Sequence, residues 1–256
     1  MSAADAPDTP GQVRIGCAGW SLSRAAQAAF GAGDSVLQRY ATRLPMVEIN
    51  SSFYRPHQAA TYARWAASVP AGFRFAVKLP RVISHERRLR DTMQPLALFL
   101  DGVMALGDRL GPLLLQLPPS LAYEPATVTA FLHGLRARTS VDVACEPRHP
   151  SWFTADVDTL LSDHGIARVA ADPARVPAAA APGGDRTWSY WRWHGQPEIY
   201  RSAYSEQALA GLAQHLQREA AAQRRRAWCV LDNTALGHAT GNALHLQALL
   251  QENAHA

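Results

Sequence analysis

Eight short runs of β-branched, aromatic and apolar residues recur along the chain, most of them separated by stretches with helical periodicity. This alternation restricts the fold more than any other feature of the sequence. The runs are 14–17, 46–50, 74–79, 113–117, 141–146, 167–171, 189–194 and 228–232; the helical stretches are 36–42, 59–68, 92–109, 125–138, 153–164, 205–225 and 241–251. Strand and helix in strict turn imply a parallel sheet, and eight repeats in about 240 residues favour closure into a (β/α)8 barrel over an open sheet. No G-x-G-x-x-G turn follows the first run, which removes the main cue for a dinucleotide fold. The sixth connection, residues 172–186, is too rich in Pro and Gly for a helix. A long loop is expected there, serving as a lid or as an insertion without a role.

The barrel is expected to occupy 13–256 as one domain, after a short tail, 1–12, of Pro, Asp and Gly. That start has neither a basic n-region nor an apolar h-region, so it is not read as a signal peptide. No apolar run approaches the roughly 18–20 residues that span a bilayer, so no membrane partner is expected. Cys17, Cys145 and Cys229 all fall inside strands; an odd count without a close pair points to free thiols in a reducing cytoplasm. The net charge of +4 tolerates an anionic ligand but is too small to make an electrostatic footprint for nucleic acid. The basic clusters 85–88 and 224–226 read as solvated helix ends.

Of the 25 basic residues, Lys78 is the only lysine. Where arginine serves everywhere else, a retained lysine points to chemistry that arginine cannot do, such as a shifted pKa or a fit into a small cavity.

Barrel enzymes work at the C-terminal ends of their strands, and a period of two decides which side chains face the axis. Parity sends Glu48 and Asn50 inward from the second strand, Lys78 from the third, Gln116 from the fourth and Glu146 from the fifth. Arg192 and His194 share the inner face of the seventh, and Asp232 ends the eighth. Arg148, Asp172 and Asn233 lie at or just past strand ends. Unpaired burial costs about 2–7 kcal/mol per polar group, so such a ring either pairs with itself or binds something. Trp20, Phe53, Tyr54, Trp152, Tyr200 and Tyr204 lie in the adjoining loops, and two or three of them are expected to face a ligand.

The segments IGCAGWS, VEINSSFYRPH, FAVKLPRVISHERRL, GPLLLQLPPSL, CEPRHPSW, WRWHG and CVLDNTALGHATGNAL resemble, in order and spacing, the DUF72 or YecE-like proteins. The resemblance implies a TIM barrel and carries no assigned activity. Its motif positions fall on Glu48, Asn50, Phe53, Tyr54, Lys78, His85, Gln116, Glu146, Arg148, His194, Asp232 and Asn233.

Four chemistries fit these residues. The first is an acid–base enzyme acting on an anionic or phosphorylated small molecule, carbohydrate-like or nucleotide-like. In it Glu48 or Glu146 is the base and His194 the acid, Lys78 (between Glu48 and Glu146) and Arg192 hold the anion, and Asn50, Tyr54, His85, Gln116, Arg148, Asn233, Tyr204 and Trp20 bind the rest. The second uses the carboxylates and His194 to hold Mg²⁺ or Mn²⁺ for hydrolysis or isomerisation, nucleic acid included, although Lys78 and Arg192 would repel the ion. The third is Schiff-base chemistry on Lys78, opposed by carboxylates that would hold the amine charged. The last is a non-catalytic nucleic-acid or protein binder.

Overall fold

The computed structural model describes residues 11–223 and 226–252, so most of the expected tail and part of the 224–226 cluster lie outside the described residues. The strands are β1 (Val13–Ala18), β2 (Met46–Ile49), β3 (Arg74–Lys78), β4 (Leu110–Gln116), β5 (Val143–Glu146), β6 (Ile166–Arg168), β7 (Ala170–Asp172), β8 (Gly183–Gly184), β9 (Trp188–Trp193) and β10 (Arg226–Leu231). They form one sheet in the order β7-β9-β10-β1-β2-β3-β4-β5-β6-β8. All neighbours run parallel except β6 and β8. Because β10 returns to pair with β1, the sheet curls into a barrel.

The expected sixth strand is split. Its first half, β6, pairs with β5, and its second half, β7, pairs with β9. At the break, the Val169 amide still donates to Cys145 O at 2.9 Å. The wall is thus closed at this seam by the chain itself changing partners. Among the described residues no α-helix follows the seam between β7 and β9. In its place lie a 3-10 turn, Pro177–Ala180, and β8, which runs antiparallel along β6. The Pro and Gly content of 172–186 suits this. Gly184 has φ +65°, and a Cβ there would stand 2.3 Å from Ile166 O.

Outside the barrel run α1 (Val36–Ala41), α2 (Ser51–Tyr54), α3 (Ala59–Ala67), α4 (Met93–Val103), α5 (Pro125–Arg136), α6 (Ala155–Asp163), α7 (Glu206–Gln223) and α8 (His238–Glu252). Their starts follow local chemistry: Ser35 and Gln38 make a capping box at α1, and Thr154 caps α6. The outer core lies between helices and strands. A second, inner core fills the barrel, and it is filled unequally. Trp188, Tyr190 and Trp228 project from β9 and β10 towards Ala18, Ala76, Ala144 and Ala167 on the other strands. Large side chains opposite small ones fill the axis. Above this plug the inward positions turn polar.

Candidate active site

Arg192 is the centre of the polar layer. Its side chain is fully buried, one step above Tyr190 on β9. Nε donates to Glu48 Oε2 at 3.1 Å and Nη2 to Glu48 Oε1 at 2.8 Å, while Nη2 also reaches Asp232 Oδ2 at 2.9 Å. Nη1 donates to Glu146 Oε2. Three carboxylates on three strands therefore converge on one planar fork, the geometry a guanidinium provides and an ammonium does not. Burial alone would lower the guanidinium pKa, but Glu48, Glu146 and Asp232 raise it well above its usual value.

Both glutamates are saturated. Glu48 takes a further hydrogen bond from Tyr190 Oη at 2.7 Å. Glu146 accepts from Arg148 Nε at 3.0 Å and Nη2 at 2.9 Å, and from Gln116 Nε2 at 3.1 Å. Burial would raise the Glu146 carboxyl, but Arg192, His194 and Arg148 overcome it and hold the group well below the usual carboxylate range.

His194 lies between two carboxylates, with Nδ1 2.9 Å from Asp232 Oδ2 and Nε2 3.2 Å from Glu146 Oε1. An ionised carboxylate only accepts, so both bonds form together only when both ring nitrogens carry protons. Burial pulls the His194 pKa down, but Glu146 and Asp232 raise it. The ring favours imidazolium. Burial would likewise raise Asp232, yet Arg192 and the bond from His194 lower it.

Lys78 departs from expectation. It does not sit in an ion pair between Glu48 and Glu146, because Arg192 occupies both. Its ammonium lies 4.2 Å from the centre of the Phe53 ring, and no hydrogen bond or ion pair joins it to another described residue. Burial, with repulsion from Arg192 next, brings it down to about 8 against the opposing pull of Glu48, Glu146 and Asp232. Beside it, on the π-helical turn Val82–Glu86, His85 packs edge-on to Phe53 and bonds Ser84 through Nδ1.

Other expected residues are committed elsewhere. Tyr204 is buried outside the ring: its hydroxyl donates to Asp172 Oδ2 at 2.6 Å, accepts from Gly195 N at 2.8 Å, and its ring stacks on Trp193. Asp172 faces outward with it and is no part of the ring. Asn233 points away too, donating to Ser202 O and Asn242 Oδ1, which ties together the loops after β9 and β10. Trp20 packs edge-on to Trp65 of α3, and Trp152 is buried with Nε1 on Leu121 O. Tyr54 stands at the rim, 74% exposed. Asn50 follows directly on β2 at the start of α2, with Oδ1 buried and unpartnered. In the 85–88 cluster, Arg87 and Arg88 donate to Asp91 O and Ser120 O, as loop ties.

Two residues not singled out from the sequence matter here, and a third noted only in passing. Parity would have found Tyr190, two positions before Arg192. Arg175 sits in the irregular sixth connection and left no periodic signal; with Arg148, Ala171, Pro173, Ala179, His194 and Tyr200 it lines a cavity of about 450 Å³. Tyr200, noted as a loop aromatic, stands edge-on to His194 with φ +68°. Lys78 is not among the wall residues of that cavity. A divalent metal does not fit the carboxylates, since the Arg192 guanidinium fills the space between them, where the ion would have to sit. Among the described residues no group of three or more His, Cys, Asp or Glu is arranged to hold one. No helix among them is long and apolar enough to cross a membrane.

The family described as "Protein of unknown function DUF72" matches residues 14–256. The chain is 31% identical to the UPF0759 protein YecE of Escherichia coli over 153 residues, 57% of this chain and 56% of YecE, so that alignment spans about half the relative's length. It is 21% identical to the UPF0759 protein YunF of Bacillus subtilis across 93% of this chain and 94% of YunF. A solved DUF72 protein from Thermotoga maritima superposes with TM-score 0.78 at 24% identity, over 94% of this chain and 99% of that one. Matching motifs and barrel lead to one conclusion: the chain belongs to the DUF72 family.

Proposed function

We propose that this chain is an acid–base enzyme acting on a small anionic or phosphorylated substrate, carbohydrate-like or nucleotide-like, at the C-terminal face of the barrel. The observation that carries this reading is His194, held between Glu146 and Asp232 on the wall of a cavity about 450 Å³ in volume. A protonated ring on the wall of a ligand-sized space becomes a general acid once a ligand takes the place of Glu146 at the Nε2 proton. Arg148 and Arg175 on the same wall supply positive charge for a phosphate or carboxylate. With Glu48 and Glu146 engaged, the proton acceptor is Lys78, at the same end of the barrel but behind the cavity wall, whose lowered pKa and the raised pKa of His194 bring base and acid towards one working pH. The loop 172–186 forms the outer wall and serves as the lid.

Calorimetric titration with AMP, a pentose phosphate and their unphosphorylated counterparts tests the reading. Phosphorylated ligands should bind more tightly, and Arg148→Gln with Arg175→Gln should weaken them about tenfold or more, about 1.4 kcal/mol. Equal binding of both ligand sets, unaffected by the two substitutions, would overturn it.

A further inference from the structure

We propose that Lys78 is a Schiff-base nucleophile, and that the substrate presents an aldehyde or ketone carbon to it. This deepens the acid–base reading and rests on it for the protonating group. The lysine side chain is only 9% exposed, lies against the face of Phe53, and has no hydrogen-bond or ion-pair partner among the described residues. A buried amine that is neither paired nor fully solvated is what nucleophilic catalysis by lysine requires. The objection raised by the sequence was that nearby carboxylates would hold the amine charged. Burial outweighs that pull, and Arg192, which pairs with Glu48, Glu146 and Asp232 itself, adds a repelling charge. The groups facing Lys78 are Glu48 from β2, Glu146 from β5, Arg192 from β9, Asp232 beyond β10 and His85 from the turn after β3. With the amine down to about 8, a useful fraction is neutral near physiological pH.

A second feature points to a ligand at the same end. Asn50 Oδ1, two residues beyond Glu48, is a buried acceptor without a donor. An unmet acceptor there suits a hydroxyl of a hydroxy-carbonyl compound.

The chemistry balances without a further reagent. The neutral Lys78 nitrogen attacks the carbonyl carbon, and the C=O π pair moves to oxygen. An N–H proton passes to that oxygen, giving a neutral carbinolamine. One proton from the His194 imidazolium then converts the hydroxyl to departing water, and the nitrogen lone pair closes the C=N⁺ bond. Asp232 links the two groups, hydrogen-bonded to His194 and within electrostatic reach of Lys78.

Reductive trapping on the full chain tests the inference. Dihydroxyacetone phosphate and, separately, glyoxylate are supplied with sodium cyanoborohydride, with free Nα-acetyllysine amide as an internal standard, and adducts are located by peptide mass mapping. With one lysine in the chain, side-chain adducts fall on Lys78 alone. Lys78 should be modified at least about tenfold faster than the standard, and the adduct at position 78 should vanish in Lys78→Arg. An unmodified Lys78, or one trapped no faster than the standard, overturns the inference. Inorganic phosphate binding, measured in parallel by calorimetry, separates the two readings. Phosphate binding without trapping rejects the Schiff base and leaves the acid–base site. Trapping by glyoxylate without phosphate binding supports the Schiff base and rejects the phosphorylated substrate.

Discussion

Arg192 and Glu48 meet in a two-point ion pair in which neither side chain is exposed to solvent, Nε to Oε2 at 3.1 Å and Nη2 to Oε1 at 2.8 Å. The pair spans the barrel from β9 to β2, and Glu146 and Asp232 join the same guanidinium. Such a group is a structural fixture, because breaking it strands charges in a low-dielectric interior.

Arg192→Met should therefore destabilise the chain by about 3–5 kcal/mol or prevent folding. Arg192→Lys should rescue only part of this, since an ammonium cannot offer the planar fork. Urea denaturation of soluble variants measures both. A cost below about 1 kcal/mol for Arg192→Met would contradict the fixture role.

Lys78→Met should behave oppositely. With His194 protonated, the three carboxylates of the ring are already balanced by Arg192, Arg148 and the imidazolium. The folded pKa of Lys78 lies below its unfolded value, so charging it opposes folding. Wild-type stability should gain from this group as pH rises from about 8 towards the ordinary lysine value of 10.5. The variant should lack that slope and be at least as stable at neutral pH. Urea midpoints at pH 7 and pH 10 test the sign, and a fall of about 3 kcal/mol in the variant at pH 7 would make Lys78 a keystone instead.

For His194 the folded pKa lies above the unfolded one, so its stabilisation is complete below about 6.5 and lost as pH rises through the raised value. Glu146 and Asp232 have depressed pKa values. Their contribution is complete above the ordinary carboxylate range and lost as pH falls through the folded values. Stability from this cluster should peak between the two limits. NMR titration of the His194 ring should show it still charged at pH 7; a neutral ring there would remove the general acid.

Gly184→Ala places a Cβ 2.3 Å from Ile166 O at a residue with φ +65°. Backbone strain alone costs about 1–3 kcal/mol, and β8 must also leave β6. The lower melting temperature should come with earlier proteolytic cleavage between 172 and 188. Unchanged stability would show that β8 adds nothing to the wall.

Strand parity is rigid, which is why Glu48, Lys78, Gln116, Glu146, Arg192 and His194 could be set on the inner face from spacing alone. Pairing is another matter. That Arg192 is long enough to take three carboxylates, and so excludes Lys78 from any ion pair, depends on distances across the barrel that a one-dimensional pattern does not hold. Beyond the strand ends parity lapses, and Tyr204 and Asn233, which read as ligand contacts, instead fasten loops. The split at Val169 was illegible for a similar reason: 166–172 has the composition of one strand, and only the closing wall divides it between two partners.

The unequal filling of the barrel has a consequence for the order in which the protein can be made. Strands β1 to β6 leave the ribosome carrying Ala18, Ala76, Ala144 and Ala167, with Met46 and Leu114, towards an axis only part filled, and with Glu48 and Glu146 awaiting a counter-charge. The side chains that fill that space, Trp188, Tyr190 and Trp228, and the guanidinium that neutralises those carboxylates, are synthesised in the last third of the chain. The inner core of the nascent amino-terminal portion therefore stays incomplete until β9 and β10 have been made.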